Sequence, residues 1–244
     1  MEINNLKTNF LDLGEGSPIV LLHGWGGTSL SMLGLANELS TKFRVIVPDL
    51  WGFGGSQPPN ENSNIFNYAS LTKDLLNALN LEKVVVVGHS LGGRIALILA
   101  STYHELVEKL VLIDSAGLKP KFSIIKYWKI KRYKRVKQKV ENGTMPAYKL
   151  QNYGSADYKE LSEPLKSIFV RVVNQDLSNL LDKIETKTLI LWGKKDKDTP
   201  RYMAKLLHKN IKCSKLLWLD GGHFAYMTQQ KKVVQHIFEF LEEN

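Results

Sequence analysis

The chain has 244 residues and a formal net charge of +9; 43% of its residues are hydrophobic and 23% are charged. These values are close to the averages of soluble globular proteins, so they exclude a disordered or fibrous chain. The length fits one α/β domain with room for an insertion.

Six nearly continuous apolar runs predict the buried strands of a parallel sheet, because strands that are covered on both faces lack polar alternation. They lie at Pro18–His23, Phe43–Pro48, Lys83–Gly88, Lys109–Asp114, Thr188–Gly193 and Lys215–Asp220. Residues Ile3–Leu13 predict a short antiparallel strand or hairpin before them. Helical patterns are found at Ser29–Ser40, Asn67–Leu79, Leu91–Tyr103, Thr199–Lys209 and Gln229–Leu241. This alternation predicts an open α/β sheet with right-handed crossovers.

About 70 residues follow the strand at Lys109–Asp114 before the next strand begins, which is too long for an ordinary connection. We therefore expect residues 118–186 to form a helical insertion, with residues 1–117 and 187–244 forming the core. Because the insertion follows the carboxyl end of a strand, where open α/β sheets bind ligands, we expect it to act as a lid.

Several features bear on location and metal binding. The longest apolar stretches, such as Ile95–Ala100, are far shorter than the ~20 residues that span a bilayer, and the first ten residues lack the pattern of a secretory signal. The one cysteine, Cys213, cannot form an internal disulfide, and no Cys/His cluster has zinc-site spacing. We expect a cytoplasmic protein without a metal ion, and the sequence leaves its oligomeric state open.

A G-x-S-x-G motif, Gly88-His89-Ser90-Leu91-Gly92, stands between a predicted strand and a predicted helix. Small residues in such a place let the chain turn sharply and expose the Ser90 hydroxyl above the sheet. The motif alone is weak, and a helix-capping serine in a glycine-rich turn is the alternative. Its strand–turn–helix setting favours a nucleophile.

Four further segments accompany this motif along the chain. They are His23-Gly24-Trp25-Gly26-Gly27, Asp49-Leu50-Trp51-Gly52-Phe53-Gly54-Gly55-Ser56, Gly193-Lys194-Lys195-Asp196 with Pro200, and Gly221-Gly222-His223. In this order they resemble the oxyanion loop, the D-x-x-G-x-G-x-S loop, the acid-bearing turn and the catalytic histidine of the α/β-hydrolase superfamily. The resemblance covers nearly the whole chain. It implies a mostly parallel central sheet flanked by helices, with a helical cap insertion after the sixth strand.

The resemblance also implies roles for individual residues. A serine hydroxyl needs a base to take its proton, which suits His223, and a carboxylate must orient that imidazole, which suits Asp196. The backbone amides of Trp25 and Leu91 would stabilise the oxyanion. We further expect His23, Gly24 and His89 to take part in substrate binding. His23 and His89 lie in glycine-rich turns, where they would support the loops.

Two other carboxylates remain alternatives to Asp196. Asp198 lies two residues beyond it, and Asp114 ends a strand that supplies the acid in some relatives.

Ser90 itself excludes the haloalkane dehalogenases and epoxide hydrolases of the superfamily, which use aspartate as the nucleophile. Neither a G-x-G-x-x-G motif at a strand end nor a P-loop is present, so we expect no nucleotide cofactor and, given the triad, no metal.

Residues 119–139 hold ten basic residues and no acidic one, so the rest of the chain has a net charge of −1. Apolar residues recur there at about helical spacing, at Phe122, Ile125, Trp128 (or Ile130), Tyr133, Val136 and Val140. This pattern predicts a basic amphipathic helix. A solvated outer face, an anionic membrane surface, and an acidic protein or anionic substrate are three alternatives for it. Nucleic acid is not expected, because no known binding module accompanies the charge.

From these observations we expect a serine hydrolase that cleaves carboxylic esters of small or medium acyl groups. The same triad serves C–C bond hydrolases, lactonases, thioesterases (including those acting on acyl carrier protein) and cofactor-free haloperoxidases. A ligand receptor that keeps the triad without turnover is an alternative from another class.

Overall fold

A computed structural model describes residues 1–119, 124–152, 161 and 163–243. Nine strands are found in these residues: β1 (Glu2–Ile3), β2 (Leu6–Lys7), β3 (Phe10–Leu13), β4 (Pro18–Leu22), β5 (Arg44–Pro48), β6 (Val84–His89), β7 (Val107–Ile113), β8 (Thr188–Gly193) and β9 (Ser214–Leu219). β1 and β2 form a small antiparallel hairpin. The other seven form one sheet in the order β3-β5-β4-β6-β7-β8-β9, in which only β3 runs antiparallel to its neighbour. The predicted α/β fold with a mostly parallel sheet is confirmed.

The described helices are α1 (Leu33–Leu39), α2 (Ile65–Ala78), α3 (Leu91–Thr102), α4 (Ile124–Glu141), α5 (Glu163–Asn174), α6 (Arg201–Asn210), α7 (Ala225–Thr228) and α8 (Gln230–Glu242). Helix α2 begins with a reciprocal capping pair, in which Asn64 accepts from the amide of Asn67 and the side chain of Asn67 accepts from the amide of Asn64. Part of the predicted helix at Ser29–Ser40 is a 3₁₀ turn at Ser29–Met32. None of the described helices is both long and apolar enough to cross a bilayer.

The central strands bury side chains on both faces of the sheet. Residues at alternate positions belong to two separate apolar cores, with Val86 and Leu112 in one and Val87 and Val111 in the other. This explains why the strands read as continuous apolar runs. Because the strands are parallel, their carboxyl ends meet at one edge, where the predicted catalytic segments follow β4, β6, β8 and β9.

The chain leaves the sheet after β7, where helices α4 and α5 follow. The insertion was expected after the sixth strand; β7 is the seventh strand in chain order and the fifth of the large sheet, because β1 and β2 form a separate hairpin. Helix α5 packs on the core, since Ile168 and Val172 are buried in the same apolar cluster as α3. By contrast, none of the described side chains of α4 is buried.

The predicted apolar face of α4 is only partly correct. Tyr133, Val136 and Val140 are half-buried on one side of the helix, as predicted. Trp128 is 56% exposed and Ile130 is 46% exposed. Trp128 precedes Tyr133 by five residues, about 1.4 helical turns, so the two side chains point in different directions. Phe122 and the side chain of Ile125 lie outside the described residues.

A buried arginine joins α5 to the helix that follows Ser90. Arg94, on α3, is only 6% exposed. It donates to the backbone carbonyl oxygens of Gln175 at 2.7 Å and Val173 at 3.2 Å, at the carboxyl end of α5. These bonds satisfy carbonyl groups that a helix end leaves without partners. Arg94 therefore fixes the end of the insertion to the core.

We predict that Arg94→Ala lowers the free energy of unfolding by about 2–3 kcal/mol, because it removes two hydrogen bonds made by a buried, charged side chain. Arg171→Ala is the control: this exposed arginine of α5 also bonds outside the insertion, to Glu61 and Asn62. Its loss should amount to less than about 1 kcal/mol, as for other exposed contacts. Urea denaturation measures both, and equal losses would contradict the anchoring by Arg94.

Candidate active site

Ser90 occupies a sharp turn between β6 and α3. Its backbone angles are φ 50° and ψ −107°, a region that residues with a side chain rarely adopt. The turn needs glycine at position 88, because a Cβ there would lie 2.4 Å from the carbonyl oxygen of Gly92. Ser90 is partly exposed although β6 is buried. This is the geometry of a nucleophile elbow, which presents a serine hydroxyl at the edge of the sheet.

His223 and Asp196 are in direct contact. The Nδ1 atom of His223 lies 2.8 Å from Oδ2 of Asp196. Their loops approach closely because residue 193 is glycine: a Cβ there would lie 2.3 Å from the carbonyl oxygen of Gly222. The amide of Lys195 also donates to the carbonyl of Gly221 at 2.7 Å. The structure therefore pairs the predicted base with the predicted acid.

The carboxylate of Asp196 is buried and has a donor at each lone pair. Oδ1 accepts from the amides of Asp198 and Thr199 at 2.8 and 2.9 Å, and Oδ2 accepts from the Thr199 hydroxyl at 2.6 Å as well as from His223. Burial raises the pKa of Asp196, but the hydrogen bonds from His223 and Thr199 outweigh it and lower the pKa to about 2. The carboxylate stays charged and can stabilise an imidazolium. Thr199 was missed by the sequence reasoning, although it directly precedes the noted Pro200.

Asp114, one alternative acid, has no hydrogen bond to His223 among the described residues. It is fully buried, its Oδ1 accepts from the amide of Gly193 at 2.7 Å, and its Oδ2 has no partner among the described residues. Burial raises the pKa of Asp114 to about 9, and the nearby charge of Asp196 adds to the effect. A carboxyl that is neutral at pH 7 cannot stabilise an imidazolium.

Asp198, the other alternative, is exposed, and its backbone rather than its side chain bonds Asp196. One group of potential metal ligands is found among the described residues, with donor atoms within 4.8 Å of one another: Asp196, Asp198 and His223. The N–H and O–H groups that surround Asp196 already use its lone pairs. We therefore assign these atoms to hydrogen bonding rather than to a cation.

The two predicted oxyanion amides lie on segments that are bonded to each other. The amide of Gly92 donates to the carbonyl of His23 at 3.0 Å, which joins the start of α3 to the loop that carries Trp25. Leu91 opens α3, and the first amides of a helix have no acceptor within it. Within the described residues the amide of Trp25 also has no backbone acceptor. Neither N–H group therefore has a backbone acceptor among the described residues, as an oxyanion hole requires.

His23, Gly24 and His89 are predicted to bind substrate, and for the two histidines this prediction needs correction, because both rings are buried. Gly24 lies next to Ser90, since a Cβ there would be 3.3 Å from the Cβ of Ser90. His23 donates from Nδ1 to the carbonyl of Gly24 at 2.7 Å and accepts from the amide of Leu50 at 2.9 Å. His89 donates from Nε2 to the carbonyl of His223 at 2.9 Å. Their rings hold loops in place rather than contact a substrate.

Both rings are uncharged. Burial lowers the pKa of His23 to about 4, and burial together with the neighbouring His223 lowers the pKa of His89 to about 3. The ring of His89 lies 4.8 Å from that of His223, measured between centroids. Gly24 leaves room for this packing, since a Cβ there would lie 2.8 Å from Nδ1 of His89.

Aromatic rings cover the oxyanion loop from the side of the insertion. The indole of Trp25 lies edge to face with Phe53 at 5.0 Å and with Phe169 of α5 at 4.8 Å. Leu165, also on α5, packs against Gly52. On the other side of the site, Phe224 is exposed next to His223. Apolar side chains thus flank Ser90 and His223.

Comparisons with known proteins agree on one family. The family model for the alpha/beta hydrolase fold matches residues 17–139. The AB hydrolase superfamily protein YisY of Bacillus subtilis is 30% identical to this chain, in an alignment that covers 94% of this chain and 93% of YisY. The 2-hydroxy-6-oxo-2,4-heptadienoate hydrolase of Pseudomonas putida is 27% identical to this chain, over 97% of this chain and 93% of the hydrolase. The solved structure of a thermophilic esterase from Thermogutta terrifontis has a TM-score of 0.77 and 28% identity, over 98% and 94%.

Some relatives are longer than this chain. It spans 36% of the length of uncharacterized proteins from Mycobacterium bovis and Mycobacterium tuberculosis, with 36% identity over 123 residues. This match covers 50% of the present chain.

We predict that Asp196→Asn lowers kcat by about 10⁴-fold, because the asparagine favours the wrong tautomer of His223 and carries no charge. Asp198→Asn and Asp114→Asn should each lower kcat less than about 10-fold, since neither side chain contacts His223. Steady-state hydrolysis of a chromogenic ester measures all three. If Asp114→Asn were the damaging change, Asp196 would not be the acid.

A second prediction concerns the pH dependence of stability. The folded state keeps a proton on Asp114 up to about pH 9, whereas the unfolded chain loses it near pH 4. Its contribution to stability is complete below about pH 4 and is lost as the pH rises towards 9. Asp114→Asn removes this titration. The difference in Tm between the variant and the wild type, measured by calorimetry, should therefore increase from pH 5 to pH 9. If the two Tm values change in parallel with pH, Asp114 is ionised in the folded state.

Proposed function

The chain belongs to the α/β-hydrolase fold family, and from this premise we propose that it is a serine hydrolase for carboxylic esters of small or medium acyl groups. The observation that carries the proposal is the 2.8 Å contact between Asp196 and His223, together with the strained elbow that holds Ser90. Strain of this kind persists where the surrounding structure enforces it, and it is often found at active sites.

Each step of ester cleavage has a residue to perform it. The Ser90 oxygen attacks the ester carbonyl while His223 accepts the hydroxyl proton, and the amides of Trp25 and Leu91 stabilise the resulting oxyanion. Collapse of this intermediate breaks the C–O bond, and the proton passes from His223 to the leaving alcohol. A water molecule, deprotonated by His223, then hydrolyses the acyl-enzyme, and Ser90 recovers its proton.

The surroundings of Ser90 favour an acyl group on the substrate. Trp25, Phe53 and Phe169 form an aromatic cluster over the oxyanion loop, and apolar surface of this kind binds hydrocarbon chains. We assign residues 118–186 to the cap, in which α5 supplies Phe169. The similarity to the thermophilic esterase supports the choice of an ester substrate. We place the reaction in the cytoplasm on the sequence features given above.

A second candidate is the hydrolysis of a carbon–carbon bond. The similarity to the Pseudomonas heptadienoate hydrolase, over nearly the full length of both chains, favours it. Ser90, His223 and Asp196 would serve that reaction equally well, so the bond that is cleaved depends on contacts made by the cap.

The test is a panel of p-nitrophenyl esters with acyl chains of two to twelve carbons, assayed beside a 2-hydroxy-6-oxo-dienoate. We expect ester turnover with a maximum at short or medium chains, and labelling of Ser90 by a fluorophosphonate. Ser90→Ala should abolish labelling and lower kcat by roughly 10⁶-fold. Ser101→Ala, which changes a serine at the far end of the same helix, should keep both.

Three results would contradict the ester proposal. Turnover of the dienoate without ester turnover would favour the carbon–carbon hydrolase. Labelling of Ser90 without turnover of any panel member would indicate a receptor. Full activity of Ser90→Ala would exclude the mechanism itself.

A further inference from the structure

Helix α4 exposes large apolar side chains at its amino-terminal end. Ile124 is 66% exposed and Trp128 is 56% exposed. They are four residues apart and therefore lie on the same face of the helix. A solvated helix whose only role is solubility does not need a tryptophan and an isoleucine side by side on its outer face, and such patches mark interaction surfaces.

The same face becomes basic towards the carboxyl end of α4. Arg132, Arg135 and Lys139 follow Trp128 by four, seven and eleven residues, which keeps all four side chains on one side. These three residues, with Val136 and Met145, line a hollow of about 250 Å³. No acidic residue offsets them in residues 119–139. The outer face thus has an apolar end and a basic end.

Lys131 connects the two ends. Its Nζ atom lies 5.0 Å from the centroid of the Trp128 ring, so an ammonium group accompanies the exposed indole. Tryptophan and a neighbouring cation suit the boundary between lipid head groups and acyl chains, where the ring enters and the charge stays at the phosphates. An acidic soluble protein would need the basic residues but offers no hydrocarbon layer for Ile124 and Trp128.

We propose that the outer face of α4 docks onto an anionic membrane surface. Ile124 and Trp128 enter the head-group region, while Arg132, Arg135 and Lys139 contact lipid phosphates. The attachment is peripheral. Because α5 rather than α4 packs on the core and covers the oxyanion loop, docking leaves Ser90 and its neighbours undisturbed.

Co-sedimentation of the purified chain with vesicles tests this. The vesicles are phosphatidylcholine with 0, 20 or 40% phosphatidylglycerol, at 50 and 500 mM NaCl. We expect wild type to bind only the anionic vesicles and to be released at high salt, because charge attraction is screened. Binding should also shift Trp128 fluorescence to shorter wavelength, which Trp128→Phe would remove.

Three variants locate the surface. Reversal of Arg132, Arg135 and Lys139 to Glu should lower the partition coefficient roughly 100-fold or more. Ile124→Ser with Trp128→Ser should lower it roughly 10-fold. The control variant replaces three exposed lysines on and after α6 with Glu: Lys205, Lys209 and Lys212. It changes the net charge by the same amount, and it should lower the partition coefficient less than 3-fold. Circular dichroism spectra that match the wild type show that each variant is folded.

Four outcomes would overturn the proposal. In the first, the wild type does not bind vesicles with 40% phosphatidylglycerol at 50 mM NaCl. In the second, the α6 control loses as much binding as the α4 charge reversal. In the third and fourth, the α4 charge-reversal variant or the Ile124/Trp128 variant binds as strongly as the wild type. The last would indicate attraction by charge alone, as for an acidic soluble partner. Vesicle binding does not require turnover, so a failure of the ester assay would leave this result intact.

Discussion

The site depends on the close approach of two loops that follow neighbouring strands. Gly193 ends β8 and Gly222 follows β9, and the two backbones come close because residue 193 has no side chain. This contact brings Asp196 within 2.8 Å of His223. A side chain at position 193 would separate the acid from the base, so the chemistry rests on a backbone contact.

A second network holds the nucleophile and the oxyanion loop together. The amide of Gly92 bonds the carbonyl of His23, and the ring of His23 bonds the amide of Leu50. Asp49, buried next to Leu50, accepts from the amides of Ser29 and Gly55. Burial raises the pKa of Asp49, but these hydrogen bonds and one from Asn9 lower it overall. The loop that resembles the D-x-x-G-x-G-x-S motif therefore acts as a support for the oxyanion loop.

Much of this arrangement could be predicted because it is encoded locally. The apolar runs gave the strands to within a few residues, and the spacing of Gly88, Ser90 and Gly92 identified the elbow. What could not be predicted depends on side-chain direction and burial. His23 and His89 read as site residues, yet their rings are turned inward. Thr199 had no motif to identify it, although its hydroxyl donates to Asp196. The exposed side of α4 was misjudged because charges and apolar residues alternate along it.

The most direct measurement is a crystal structure of the chain with a phosphonate bound to Ser90, since the phosphonyl oxygen takes the place of the oxyanion. The expected position of this oxygen is 2.7–3.1 Å from both backbone nitrogens of Trp25 and Leu91, with His223 still bonded to Asp196. A phosphonyl oxygen directed away from these amides, or a His223 ring that has left Asp196, would contradict the triad and its oxyanion hole.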